Sequence, residues 1–362
     1  MRRLLVGLIL LAVAAISVFL SLRLVRSKID SIMTSPSGVL SSPTPEAKAI
    51  PTTRSDSSLF VPYWTLDEGN FAQDPYKSYI YFGISASIDG INKAEDGYKN
   101  LKTFSRTASG KSTLLAVRMI DNKVTTPVLK DKKKQEKIIN DAIFIANEYG
   151  FDGIVLDLEV SGLPFASLID QITSFNKNFY VKTKTAKLSY GIAAYGDTFY
   201  RVRPFSMKDL GKTADMVYVM AYDFHKANGN PGPNFPLSGS DTYGYDYKRM
   251  VKSFLDVIPA DKLTFIFGMY GYDWEIDSEG KAKDAGTAIS LKETNASLLD
   301  DCDHTTCKWE REGGSSEIMI EYTDDESKHI VWTEDEESVK RKKEYLQKMG
   351  IGSFAYWAYS YF

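Results

Sequence analysis

Asp157 and Glu159 stand two residues apart in the run Phe151-Asp152-Gly153-Ile154-Val155-Leu156-Asp157-Leu158-Glu159. The apolar residues between them read as a buried strand, on which positions i and i+2 share a face. Two carboxyls on one face of a core strand are costly unless they are paired or do chemistry. The pattern fits a general acid with an assisting carboxyl, on a face that opens into a cleft.

The elements that must position this pair follow from the hydrophobic pattern. Short β-rich runs are expected at 59–64, 79–84, 114–119, 153–158, 188–194, 216–222, 263–269 and 353–357. Helical stretches alternate with them, which marks a parallel sheet. Ile138, Ala142, Ile145, Ala146 and Tyr149 recur at helical spacing, as do Phe165, Leu168, Ile169, Ile172 and Phe175. A last helix is expected over 335–349, closed by Gly350. Eight strands with intervening helices predict a (β/α)8 barrel, with an open doubly wound sheet as the alternative.

Between Trp274 and Trp332 the chain is too long for a simple connection, and a small α+β insertion is expected over about residues 275–332. It contains the only cysteines, Cys302 and Cys307. A local disulfide is the preferred reading, ahead of two plain thiols or a metal site that would add His304. The acidic runs at 324–326 and 334–337 read as a solvated face. Asn295-Ala296-Ser297 fits a glycosylation acceptor.

In such a barrel, functional groups gather at the C-terminal ends of the strands. Those ends offer Tyr63 and Trp64, then Asp157 and Glu159, then Met220, Tyr222 and Asp223, then Tyr270 and Trp274, and finally Trp357. Carboxylates and aromatics converging on one rim describe a sugar-binding cleft with an acid at its floor. His225, one of three histidines, reads as a polar loop residue rather than a catalytic one.

Over most of residues 59–362 the sequence resembles glycoside hydrolase family 18, the chitinases and their relatives. Asp152, Gly153, Asp157 and Glu159 match that family's Asp-Gly-x-Asp-x-Asp-x-Glu signature, and Met220-Ala221-Tyr222-Asp223, with Asp215 before it, matches its Met-x-Tyr-Asp pattern. Gly268-Met269-Tyr270-Gly271-Tyr272-Asp273-Trp274 approximates a third motif without the chitinase-type arginine, which is nearer the spore-germination and cell-wall branch. Trp357 matches the family's tryptophan on strand eight.

The resemblance implies a substrate-assisted retaining hydrolysis of β-1,4-linked N-acetylglucosamine polymers, chitin or peptidoglycan. Glu159 would be the acid, Asp157 and Tyr222 would hold the N-acetyl group, Trp357 would floor the sugar, and Asp223 would contact its hydroxyls or amide. The scheme needs a protonated acid, so a raised pKa is expected at Glu159. It needs no metal or organic cofactor. Val155 stands where the family has its middle Asp: losing a like charge should lower Asp157's pKa, whereas desolvation should raise it. The substitution also keeps open a catalytically inactive, lectin-like protein; a surface scaffold that uses the barrel only for contacts is a third reading.

Residues 4–22 form an uncharged apolar run long enough to span a bilayer, flanked by basic residues on both sides. A single-pass anchor over 1–32 is expected, with a cleaved signal peptide as the alternative. Residues 33–58 are rich in Ser, Thr and Pro and read as an extended linker. The catalytic domain would then stand outside the cytoplasm as a monomer. A net charge of −3 gives no field for nucleic acid, and 22 Tyr, 19 Phe and 5 Trp suit stacking on sugars.

Overall fold

The computed structural model describes residues 56–362, apart from 74, 75, 301, 303–305 and 326. The apolar run, the linker up to residue 55, His304 and Glu326 lie outside the described residues. Among the described residues no helix is long and apolar enough to cross a membrane.

Eight parallel strands close into a barrel: β1 (Asp56–Pro62), β2 (Ser78–Ser87), β4 (Ser112–Met119), β5 (Gly153–Leu158), β6 (Ser189–Tyr195), β7 (Met216–Met220), β8 (Leu263–Gly268) and β14 (Ser353–Trp357). The β1–β2 pairing closes the ring, with Leu59 opposite Tyr79. The short strand β3 (Gly90–Ile91) turns back antiparallel on the end of β2. The closed ring excludes the open doubly wound sheet.

Strand alternation sorts the core into two layers. Ile154, Leu156 and Leu158 of β5 face the helices. Inside the barrel, Phe60, Ile80, Ala116, Val155, Tyr218, Ile266 and Ala355 pack together, one from each strand except β6. There β6 contributes Gly191, opposite Val155. A Cβ on Gly191 would lie 2.5 Å from the Tyr218 ring, so the missing side chain makes room for the tyrosine.

The helix Lys132–Glu148 buries Ile138, Ala142, Ile145 and Ala146, and Asp131 caps its start by accepting from Lys133 N at 2.8 Å. The helix Ala166–Thr185 buries Ile172 and Phe175, but Phe165, expected on its apolar face, is its N-cap and 65% exposed. The last helix, Glu336–Lys348, opens on an Asp335–Ser338 capping box and ends before Gly350, whose φ of 81° suits glycine.

After β8 the chain builds a five-stranded antiparallel sheet in the order β10-β9-β13-β12-β11. Its strands are β9 (Tyr270–Ile276), β10 (Thr287–Ser290), β11 (Thr306–Arg311), β12 (Ile318–Asp324) and β13 (Ser327–Thr333). Cys302 and Cys307 are joined by a disulfide at the entry to β11. Glu334 and Asp335 are not on a solvated face. The Glu334 side chain is fully buried against Lys342, and Asp335 takes a bidentate pair from Arg311 at 2.7 Å. Their partners lie far enough along the chain that a run of acids conceals them.

Candidate active site

Inward alternation on β5 carries Val155, Asp157 and Glu159 to one side, as the spacing requires. Gly153 and Asp152 set that strand in place. A Cβ on Gly153 would fall 1.9 Å from Ser189 Oγ, and Asp152 accepts from Thr113 N at 2.9 Å. Both are framework residues of the motif. Asp215 is framework too, accepting from Tyr190 N at 2.9 Å.

A cavity of about 240 Å³ opens at the C-terminal ends of the strands. It is lined by Val155, Asp157, Glu159, Met220, Tyr222, Asp223, Tyr270 and Trp357. These come from β5, the end of β7 and its following loop, β9 and β14, so the sequence-selected residues meet in space.

Asp157 is 6% exposed, and its Oδ1 has no hydrogen-bond partner among the described residues. Burial, then the charge of Glu159, pushes its carboxyl from an ordinary 3.8 up to about 8. Arg118, its neighbour across the β4–β5 register, opposes the rise. Val155 lines the same cavity and is 1% exposed, so it belongs to the apolar surroundings of that carboxyl. Asp157 therefore keeps its proton at neutral pH.

Glu159 Oε2 accepts a hydrogen bond from Tyr195 Oη at 2.8 Å. Burial raises the Tyr222, Tyr270 and Tyr195 phenols above their ordinary range, so all three stay neutral donors. Asp223 adopts a left-handed φ of 58°, and its Oδ1 accepts from Tyr270 Oη at 2.5 Å and Tyr272 Oη at 2.8 Å. Trp357 stands edge-on to Phe82 at 4.6 Å between ring centroids and presents its indole to the cavity.

Two expected residues lie elsewhere. Trp274 is 1% exposed in the inserted sheet, where its Nε1 donates to Ala227 O at 3.1 Å. It follows β8 closely enough to resemble a rim residue, but β9 turns it away from the cavity. Trp64 belongs to the 3-10 turn Tyr63–Glu68 rather than to β1, and is 47% exposed. It lines an adjoining cavity of about 610 Å³ that shares Trp357 and Tyr270.

Sequence reasoning missed Tyr195, Asp197, Lys226 and Arg118. Tyr195 ends β6 and Asp197 follows two residues later, in a Tyr-Gly-Asp run that matches no motif read from the sequence. Arg118 stands two residues beyond Ala116 on the inward face of β4, a readable spacing. Among the described residues no cluster of three or more His, Cys, Asp or Glu is placed to hold a metal.

The family described as Glycosyl hydrolases family 18 matches residues 60–361. The putative sporulation-specific glycosylase YdhD of Bacillus subtilis is 21% identical over 292 residues, covering 78% of this chain and 66% of that protein. The cortical fragment-lytic enzyme of Bacillus subtilis is 21% identical over 295 residues, covering 78% and 64%. The chain thus spans about two-thirds of the length of these curated relatives. The crystal structure of the Bacillus cereus spore cortex-lytic enzyme SleL shares the fold with a TM-score of 0.69 at 18% identity, over 84% of this chain and 71% of that one.

Proposed function

Because the chain belongs to family 18 of the glycosyl hydrolases, we propose that it hydrolyses β-1,4-linked N-acetylglucosamine-containing glycans, chitin or peptidoglycan, by a substrate-assisted retaining route. The observation that carries this reading is the meeting of Asp157, Glu159, Tyr222, Asp223 and Trp357 around one cavity at the strand ends.

Trp357 floors the sugar whose bond breaks. The substrate's N–H approaches Asp157, which favours its charged form, so its proton passes to Glu159. Glu159 then protonates the glycosidic oxygen while the N-acetyl carbonyl oxygen attacks the anomeric carbon. The leaving chain departs and a cyclic oxazolinium ion remains. Asp157 accepts from its N–H, and the neutral Tyr222 hydroxyl donates to the former carbonyl oxygen. Water then attacks the anomeric carbon, gives its proton to Glu159, and the N-acetyl group re-forms.

The test is hydrolysis of fluorogenic N-acetylglucosamine oligomers by the full chain and by Glu159→Gln. Turnover lost in the variant supports the reading; turnover retained in it overturns the assignment of the acid. A lectin-like protein is the second reading, favoured by the apolar Val155, and predicts binding without turnover in either form. Residues 4–22 serve as a membrane anchor in this proposal, supported by their length and lack of charge, with a monomeric domain outside the cytoplasm. Alkaline extraction of membranes and light scattering of the detergent-solubilised chain test these two points.

A further inference from the structure

We propose that the side cavity at Arg201, Arg203 and Lys226 is an anion subsite for a carboxylate carried by the glycan, which makes a carboxylate-bearing wall glycan, and not neutral chitin, the preferred substrate. The proposal rests on the glycosidase reading above.

The cavity, about 660 Å³, lies between the segment after β6 and the loop after β7, and no carboxylate lines it. Arg201 and Arg203 both turn onto Asp197, which is 5% exposed. Arg203 takes both of its oxygens, with Nη2 at 2.7 and 2.8 Å, and Arg201 Nη2 also donates to Phe224 O at 2.7 Å. One carboxylate therefore offsets two guanidiniums. Lys226 adds a third cation and forms no ion pair among the described residues. The remaining titratable group, His225, donates Nδ1–H to Pro233 O at 2.7 Å, and burial lowers its pKa, so it stays neutral near pH 7. The wall thus carries a surplus of positive charge, two guanidiniums held on Asp197 and an exposed Lys226.

Its position ties it to the reaction. Lys226 lines both this cavity and the catalytic one, so the two meet at its side chain. The Arg203 guanidinium lies 3.8 Å from the Tyr195 ring centroid, and Tyr195 bonds Glu159. The cationic wall is therefore one aromatic ring away from the acid. On the other side, the cavity beyond Trp357 is lined by Glu68, Glu293 and Lys292 and has no such surplus. A polymer of N-acetylglucosamine alone carries no anion to meet three cations. Peptidoglycan bears on alternate sugars a lactyl carboxylate, free or extended by a peptide that itself ends in carboxylates.

The test is calorimetric binding to full-chain Glu159→Gln of three oligosaccharides of equal length: neutral N-acetylglucosamine, wall glycan with free lactyl groups, and wall glycan with peptides. The acidic probes should bind about tenfold more tightly than the neutral one in low salt, an advantage that screening removes at about 0.2 M salt. Lys226→Glu, at an exposed position, should reverse the order. Tighter binding of both acidic probes identifies the lactyl carboxylate; tighter binding of the peptide form alone identifies the peptide. Neutral oligomers bound as well as the acidic ones overturn the subsite but leave the glycosidase reading intact. No binding of any probe overturns both.

Discussion

Replacing Asp157 by Asn should stabilise the fold while abolishing turnover, and by an amount that depends on pH. In the folded protein, burial holds the Asp157 carboxyl neutral up to about 8, against an ordinary 3.8. Between those values the folded state binds a proton that the unfolded chain has released, so stability falls as pH rises. The contribution is full below pH 3.8, declines across the window, and is flat above about 8. Each unit is worth about 1.4 kcal/mol, so a gap of about four units withdraws on the order of 5 kcal/mol. Asn cannot ionise and escapes the decline. Urea unfolding of the two proteins from pH 4 to pH 9 should give curves that diverge steadily to about pH 8 and then run parallel, the variant being the more stable. Parallel curves across the whole range would refute the claim that Asp157 is kept neutral by its surroundings.

Tyr195→Phe removes the hydroxyl that holds Glu159 and should lower kcat about tenfold with little change in KM, read from steady-state kinetics. Lys342→Met strands two fully buried carboxylates and should cost about 3–5 kcal/mol in urea unfolding. Combining it with Glu317→Gln and Glu334→Gln should restore much of that loss but not the catalytic rate, because Glu317 also holds Asn234. Reducing Cys302–Cys307 opens a loop of five-residue separation, so the unfolding free energy from urea titration should fall by no more than about 2 kcal/mol, with hydrolysis unchanged.

The β5 constellation was legible because a period of two places Asp157 and Glu159 on one face whatever the rest of the fold does. The barrel was legible for the same kind of reason: each strand's pattern is local. Trp274 misled because its nearness to the end of β8 in sequence says nothing of β9, which pairs with β13 across more than 50 residues. Tyr195 escaped notice because its role is a contact with a residue 36 positions away. Glu334 reads as part of a solvated acidic run until the fold places its side chain and that of Lys342 at 0% exposure.

That buried cluster explains how the loop after β7 holds its shape. Glu317 accepts from the backbone N–H groups of Asn234 and Phe235 at 2.5 and 2.8 Å, and Lys342 bonds Glu317 at 2.9 Å and Glu334 at 2.8 Å. Asn234 then accepts from Asp223 N at 2.6 Å and donates to Tyr270 O at 2.9 Å. An unbroken chain of hydrogen bonds thus runs from the last helix, through the start of β12, to the backbone of a cavity residue held at positive φ. Buried ion clusters contribute little net stability against apolar replacements of equal volume, yet losing one member is expensive. Such a cluster tolerates few alternative arrangements of the segments it joins. Here those segments are the inserted sheet, the final helix and the loop bearing Asp223. The inserted sheet is therefore a buttress for the loop bearing Asp223 as well as one wall of the cavity.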